Sequence, residues 1–437
     1  MLTKRPRRIK VRERDSIIQS LKAGVVPRTG IQHIQVGRAN EIKSVYRDIN
    51  RIAQGGSAFR LIIGEYGSGK TFFLNVIRSI ALEKKLVAVN ADLSPDRRIH
   101  ASAGQARNLY SELMRNMATR ACPTGNALTA VVEKFVNSAR KEAEKTGVSV
   151  SSLINDRLSS LSEHVGGFDF AKVIEAYWKG HENDDDELRS NAIRWLRAEF
   201  STKTDARKAL GVGGFISDTS FYSSLKLMSL LVRQAGYEGL LVVLDEMVNL
   251  YKLSSKQART SNYEQILAML NDCLQGSADH LGFLLGGTPE FLLDPRRGLY
   301  SYEALQSRLA ANTFAQKAGV TDYSSTALHL ANLTPEELYL LLRKIRNVFA
   351  SGDETQYLVP DKALSSFLLH CSKKIGEAYF RTPRNTVREF VDMLSTIEQN
   401  EGIEWKELID VIEIREDRIS DMHEIEDSSD ELSAFTL

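Results

Sequence analysis

The stretch LIIGEYGSGKTFFLNVI, residues 61–77, constrains this chain more than any other. An apolar run breaks at Gly64, passes through Gly67 and Gly69 to Lys70 and Thr71, and returns at once to apolar residues. Gly64–Thr71 matches GxxxxGK[ST], and each fixed position has a physical task. Glycines let backbone N–H groups turn toward an anion with no Cβ in the way. The N-terminus of the following helix adds partial positive charge. Lys70 is placed to reach β- and γ-phosphates, and the Thr71 hydroxyl to ligate Mg²⁺. The candidate nucleotide-binding residues are therefore Gly64, Glu65, Tyr66, Gly67, Ser68, Gly69, Lys70, Thr71 and Phe72. A strand before the loop and a helix after it imply an α/β fold.

Such a loop needs a second strand, apolar and ending in Asp, parallel to the first and expected beside it. GLLVVLDE (239–246) fits. Asp245 would hold Mg²⁺ through water, and Glu246 would polarise the attacking water. KLVAVNADLS (85–94) and LGFLLGGTPE (281–290) read as further strands. Strands alternating with helical patterns predict a parallel sheet covered on both faces. TKTD (202–205) matches a guanine-reading motif but precedes the Asp245 strand instead of following it. It reads as a polar loop, and ATP is the expected nucleotide.

Several residues could complete such a site. Thr288 ends the third strand, where a sensor of the γ-phosphate would sit, although Gly-Gly-Thr-Pro is equally an ordinary turn. Arg308, in SYEALQSRLA, lies at a helix end from which it could reach a neighbouring subunit's nucleotide. Arg296 and Arg297 compete for that role. In YFRTPRNTVREF, Arg381 and Arg384 flank a helix start marked by Pro383, and either could act as a second sensor.

The net charge of +1 excludes a polycation, so any nucleic-acid surface must be local. Seven of the first fourteen residues are basic. No apolar run follows them, so the segment reads as an arm and not a secretory leader. It could neutralise DNA phosphates or dock on the acidic end of the chain. Three widely spaced cysteines (Cys122, Cys273, Cys371) form no CxxC pair, and the eight histidines show no HExxH. That argues against a disulfide framework and suits a reducing cytoplasm. No apolar stretch approaches the roughly 20 residues needed to cross a bilayer, so no membrane role is expected.

VGR (36–38), GEYGSGKT, LLVVLDE, GGTPE, QSR and TPR occur in an order that resembles an AAA+ ATPase of the initiator-like kind. More narrowly, the segment from IRWLRAEF to LLVVLDE resembles the ATP-binding proteins of BREX-type phage-defence systems. The resemblance covers roughly residues 30 to 400. It implies a P-loop AAA+ core with a parallel sheet, a large helical insertion and a C-terminal helical lid. On that reading, 1–30 is a basic arm, 31–122 and 236–325 the two parts of the core, 123–235 the insertion, 326–400 the lid and 401–437 an acidic, disordered tail. The chain departs from the AAA+ pattern in one respect: about 170 residues separate Thr71 from Asp245, far more than a compact core requires, so the helices of 123–235 read as an inserted subdomain. The resemblance also implies ATP and Mg²⁺, a homo-oligomer, double-stranded DNA, and a partner helicase or nuclease. The function so implied is ATP hydrolysis that drives assembly or remodelling on DNA. The alternatives are a slowly hydrolysing regulatory switch and a loader of the transposition or replication type.

Overall fold

The computed structural model describes residues 8–400 and 402–412. The described chain forms two compact units. One comprises residues 39–63 and 73–329; the other comprises the segment up to Arg38, Gly64–Phe72, and the chain from Leu330 onward.

The first unit is built on a five-stranded sheet, ordered β2-β3-β4-β1-β5, in which every pairing is parallel. The strands are β1 (Ala58–Ile63), β2 (Val87–Asp92), β3 (Leu240–Asp245), β4 (Leu281–Gly287) and β5 (Ala327–His329). Every residue of β1, β3 and β4 is buried, as expected of parallel strands covered on both faces. One expectation is corrected: β3 is not beside β1. β4 lies between them, pairing Ala58 with Gly282 on one side and Leu240 with Leu281 on the other. Parallel neighbours need long crossovers, so chain order does not dictate sheet order. β4 can take this central place because it carries glycine where its neighbours need room. A Cβ on Gly282 would overlap the Ile52 side chain, and one on Gly286 the Asp245 carboxylate.

Among the described residues three α-helices precede β2: α1 (Val11–Lys22), α2 (Ala39–Ala53) and α3 (Lys70–Glu83). Seven come between β2 and β3: α4 (Gln105–Arg115), α5 (Leu128–Thr146), α6 (Val150–Ser162), α7 (Gly167–Glu182), α8 (Asp186–Leu196), α9 (Lys203–Leu210) and α10 (Phe221–Gln234). α4 ends at Arg115, and the chain then turns to the sheet. Ala118 pairs with Ala88 in an antiparallel bridge, extending the sheet edge. Val131, Phe135, Phe170 and Trp195 from α5, α7 and α8 join one continuous apolar cluster with strand residues such as Val89 and Val242. TKTD is a helix start: the Thr202 hydroxyl caps α9 by accepting the Asp205 N–H at 3.1 Å.

The second unit has its own core, in which Ile17, Leu338, Leu342, Ile345, Phe367 and Phe390 are buried. The helix Pro335–Phe349 starts with a capping box between Thr334 and Glu337. Helices Asp361–Ile375 and Pro383–Gln399 follow. Part of the basic arm belongs to this core. Residues 11–22 are helical, Ile9 and Ile17 are buried, and Arg14 donates to the Phe349 carbonyl at 2.9 Å and pairs with Glu398. The helix Trp405–Val411 falls within the segment expected to be tail. Residues 401 and 413–437 of that tail, and the first seven residues of the arm, lie outside the described residues.

Candidate functional site

Two groups of residues carry the chemistry expected of the sequence: the glycine-rich loop in the second unit and the strand ends of the first.

The loop Gly64–Phe72 is held by the unit it belongs to. Lys70 Nζ donates to the carbonyls of Gly64 and Glu65, both at 2.9 Å. Gly67 and Gly69 have φ of +82° and +83°, the left-handed region that favours glycine. A Cβ on Gly67 would also come within 2.8 Å of the Arg381 carbonyl. At Gly69 a Cβ would meet nothing within 4 Å, so there the backbone conformation alone demands glycine. Ser68 is 2% exposed, and its hydroxyl has no hydrogen-bond partner among the described residues. Thr71 is exposed, whereas Phe72 packs partly against the apolar core. The first turn of α3 leaves backbone N–H groups without carbonyl partners of its own. An open glycine cradle, a lysine and a helix N-terminus fit a polyphosphate.

Three polar side chains brace this loop. Arg38 donates from Nη2 to the Ser68 carbonyl at 3.1 Å and also to the Ala331 carbonyl. Asn332 donates to the Glu65 carboxylate at 2.9 Å. Arg384 donates from Nη1 to the Tyr66 hydroxyl at 3.2 Å, its guanidinium 5.7 Å from the ring centroid. The side chains of the two arginines that the sequence left open make different contacts. Arg384 touches the loop, while Arg381 pairs with Glu377 at 2.6 Å within its own turn. The bracing roles of Arg38 and Asn332 were not read from the sequence. Arg38 was visible only as the last residue of VGR, and nothing local marks Asn332.

At the carboxyl end of β3, Asp245 is 6% exposed and accepts the Glu246 N–H on Oδ1 at 2.9 Å. Glu246 has φ of +58° with its side chain exposed. A non-glycine residue held there costs about 1–2 kcal/mol. Its neighbour Met247 is fully buried and donates to the Gly286 carbonyl at 3.0 Å. Glu246 is thus an exposed residue held in a left-handed conformation between two buried neighbours. Asp92, at the end of β2, is in register with Asp245. Among the described residues no three carboxylate, histidine or cysteine side chains converge as a metal site. A hard divalent ion here would draw most of its ligands from phosphate oxygens and water.

Thr288 follows β4 and caps the short helix Pro289–Leu293, its hydroxyl accepting the Phe291 N–H at 3.4 Å. The hydroxyl proton stays available to an acceptor. Arg308 is exposed, and donates from Nε to Asn271 Oδ1 and from Nη1 to the Ala304 carbonyl, each at 2.8 Å. Arg297 is tied to the Leu253 carbonyl at 3.0 Å and lies over Tyr251. Arg296 is exposed. Its N–H and that of Arg297 both donate to Asp294, whose carboxyl is held below its usual range chiefly by the Arg296 N–H and then by the Tyr251 hydroxyl.

The family model described as BREX system ATP-binding protein BrxC/D matches residues 9–413. The chain belongs to this BREX ATP-binding family. The match takes in both units, from before the buried Ile17 to beyond the helix Trp405–Val411. As a BREX family member this is an ATP-binding protein of a phage-defence system, and its α/β fold carries the glycine-rich loop that such binding requires. No curated protein matches the chain. No described helix is long and apolar enough to cross a membrane.

Proposed function

We propose that this BREX protein is an AAA+ type ATP hydrolase, using turnover to drive assembly or remodelling on double-stranded DNA with a helicase or nuclease partner. Lys70 and the N–H groups of Gly64–Phe72 hold the phosphates. Thr71 and Asp245 would hold Mg²⁺, which would neutralise charge on the phosphate oxygens. Glu246 accepts a hydrogen bond from the attacking water and orients it. Thr288 donates toward the γ-phosphate. Arg384, on a C-terminal helical lid, follows the phosphate loop through Tyr66. Arg308 serves a neighbouring copy in a homo-oligomer.

One observation carries the reading: the strained backbone of Glu246 directly after a buried aspartate at a strand end. A left-handed, non-glycine backbone at a carboxylate directly after a buried aspartate supports a functional role. The test is ATP turnover and ATP binding by wild type and Glu246→Gln. Turnover should fall at least 100-fold while affinity stays within about three-fold, since removal of a general base costs about 10²–10⁴. Wild-type turnover by the variant would refute the role.

A second reading, the slowly hydrolysing switch, has its own support. The Arg308 guanidinium is bonded twice within its own chain, so service in a neighbouring site requires those bonds to be given up. ATP bound tightly by a monomer with negligible turnover would favour the switch.

A further inference from the structure

Arginines converge far along the chain from the phosphate loop. A groove of about 470 Å³ runs between α5, α7 and α8 and is lined by Arg189, Arg194 and Arg197, with Glu133, Tyr177 and Asp186. All belong to the sheet-bearing unit. Positions 189, 193, 194 and 197 recur at helical spacing, so one face of α8 and its C-cap presents the three guanidinium groups.

The groove's acids are already engaged. Asp186 pairs with Arg189, and Glu133 accepts the Tyr177 hydroxyl at 3.3 Å. Glu199, beside the groove, lies 3.6 Å from Arg115 and 3.9 Å from Arg194. Arg197 differs. Its Nε is shielded from solvent and has no acceptor among the described residues. A cation at a helix C-terminus is favoured by the macrodipole, which accounts for its position but not for a buried donor left unmet. Such a donor costs about 1–3 kcal/mol, so Arg197 is not kept at this position by the fold's own hydrogen bonding.

We infer that this groove is a binding site for the phosphodiester backbone of duplex DNA, distinct from the nucleotide loop. The spacing supports a polyanion. Eight residues of helix advance about 12 Å, and one DNA strand places a charge about every 3.4 Å of axis. A row of three arginines therefore spans several phosphates, whereas a single small anion would use one. The groove offers no exposed aromatic face for base stacking, which suits a contact to the backbone that does not read sequence. The inference rests on the DNA-associated reading above and names its surface.

The test is fluorescence anisotropy of the full chain with a 30-base-pair duplex across a salt series, alongside nucleotide binding. Arg194→Gln combined with Arg197→Gln should weaken duplex binding about ten-fold or more and reduce the salt slope by about 1.8, since each lost phosphate contact removes about 0.9. Arg197→Lys should recover part of the affinity by keeping the charge. Arg140→Gln, an exposed charge on α5 paired with Glu144, should change neither quantity. ATP affinity should be unchanged in all variants, which certifies their folding. Wild-type duplex affinity and slope in the double variant would overturn the groove assignment alone. A wild-type chain that binds ATP but no duplex would overturn both the groove and the DNA reading. Binding of a polyglutamate peptide through these arginines, with none to duplex, would overturn the assignment in favour of an acidic protein.

Discussion

Gly286→Ala tests whether β4 is shaped around the buried carboxylate. The residue sits inside a strand and has no left-handed φ, so alanine meets no backbone penalty. The cost is steric. The new Cβ would overlap Asp245 Oδ1 and stand 3.0 Å from Leu74 Cδ1. Asp245 cannot swing away freely, because it is 6% exposed and its Oδ1 holds the Glu246 N–H. Overpacking of this size costs about 1–3 kcal/mol, or a fall in Tm of about 2–10 °C. Stability loss alone would not identify a site, so Gly282→Ala is the control. There the Cβ would overlap the end of the Ile52 side chain, at the opposite end of β4.

Both variants should melt early, but only Gly286→Ala should raise the Mg²⁺ concentration needed for half-maximal ATP turnover, by about ten-fold. Melting by circular dichroism and turnover over an Mg²⁺ series read the two effects separately. A Gly286→Ala protein with wild-type melting and Mg²⁺ response would refute the steric argument. Equal Mg²⁺ effects in the two variants would refute the metal role of Asp245.

Two further outcomes rest on buried chemistry. Arg60 lies within β1 and bonds to Asp48 at 2.6 Å, with both side chains almost wholly buried. Asp48→Asn leaves that guanidinium uncompensated and should cost about 3–5 kcal/mol in urea melts; a loss below about 1 kcal/mol would show the pair to be dispensable. Burial pushes the thiols of Cys273 and Cys371 up to about 12, so at pH 8 their thiolate fraction is on the order of 10⁻⁴. Native protein should therefore yield one fast-reacting thiol, Cys122, and three in guanidinium; a fast thiol remaining in Cys122→Ser would contradict the burial.

What could be read from the sequence was local. Continuous apolar runs marked β1, β3 and β4 because a strand buried on both faces has no polar side to interrupt it. Pro383 marked a helix start because helix entry depends on neighbours in sequence. Arg60 escaped this logic. A charge inside FRLII contradicts a buried strand until Asp48, from α2, is beside it. Charge misled in the other direction at the N-terminus. Seven basic residues suggested a solvated arm, yet Ile9 and Ile17 anchor part of it in a core built mostly from residues between Leu338 and Ile409. Composition records how many charges a segment carries and not which side chains between them face inward.

The position of Glu246 shows why the candidate site was only partly legible. The identities Asp-Glu after LLVVL were enough to suggest the roles, since an apolar strand must end somewhere and two carboxylates at its end are chemically conspicuous. The strain at Glu246 was not visible, because left-handed φ at a glutamate leaves no mark in composition or periodicity. Its origin is the next residue along the chain. Met247 is buried and its N–H is fixed by the Gly286 carbonyl, so the chain must turn within one residue of the strand. A glycine at 246 would make that turn at lower cost but would supply no carboxylate. Conformational cost and chemical demand thus fall on one position, and Gly286 serves both by making room for Asp245 and supplying the acceptor that sets the turn.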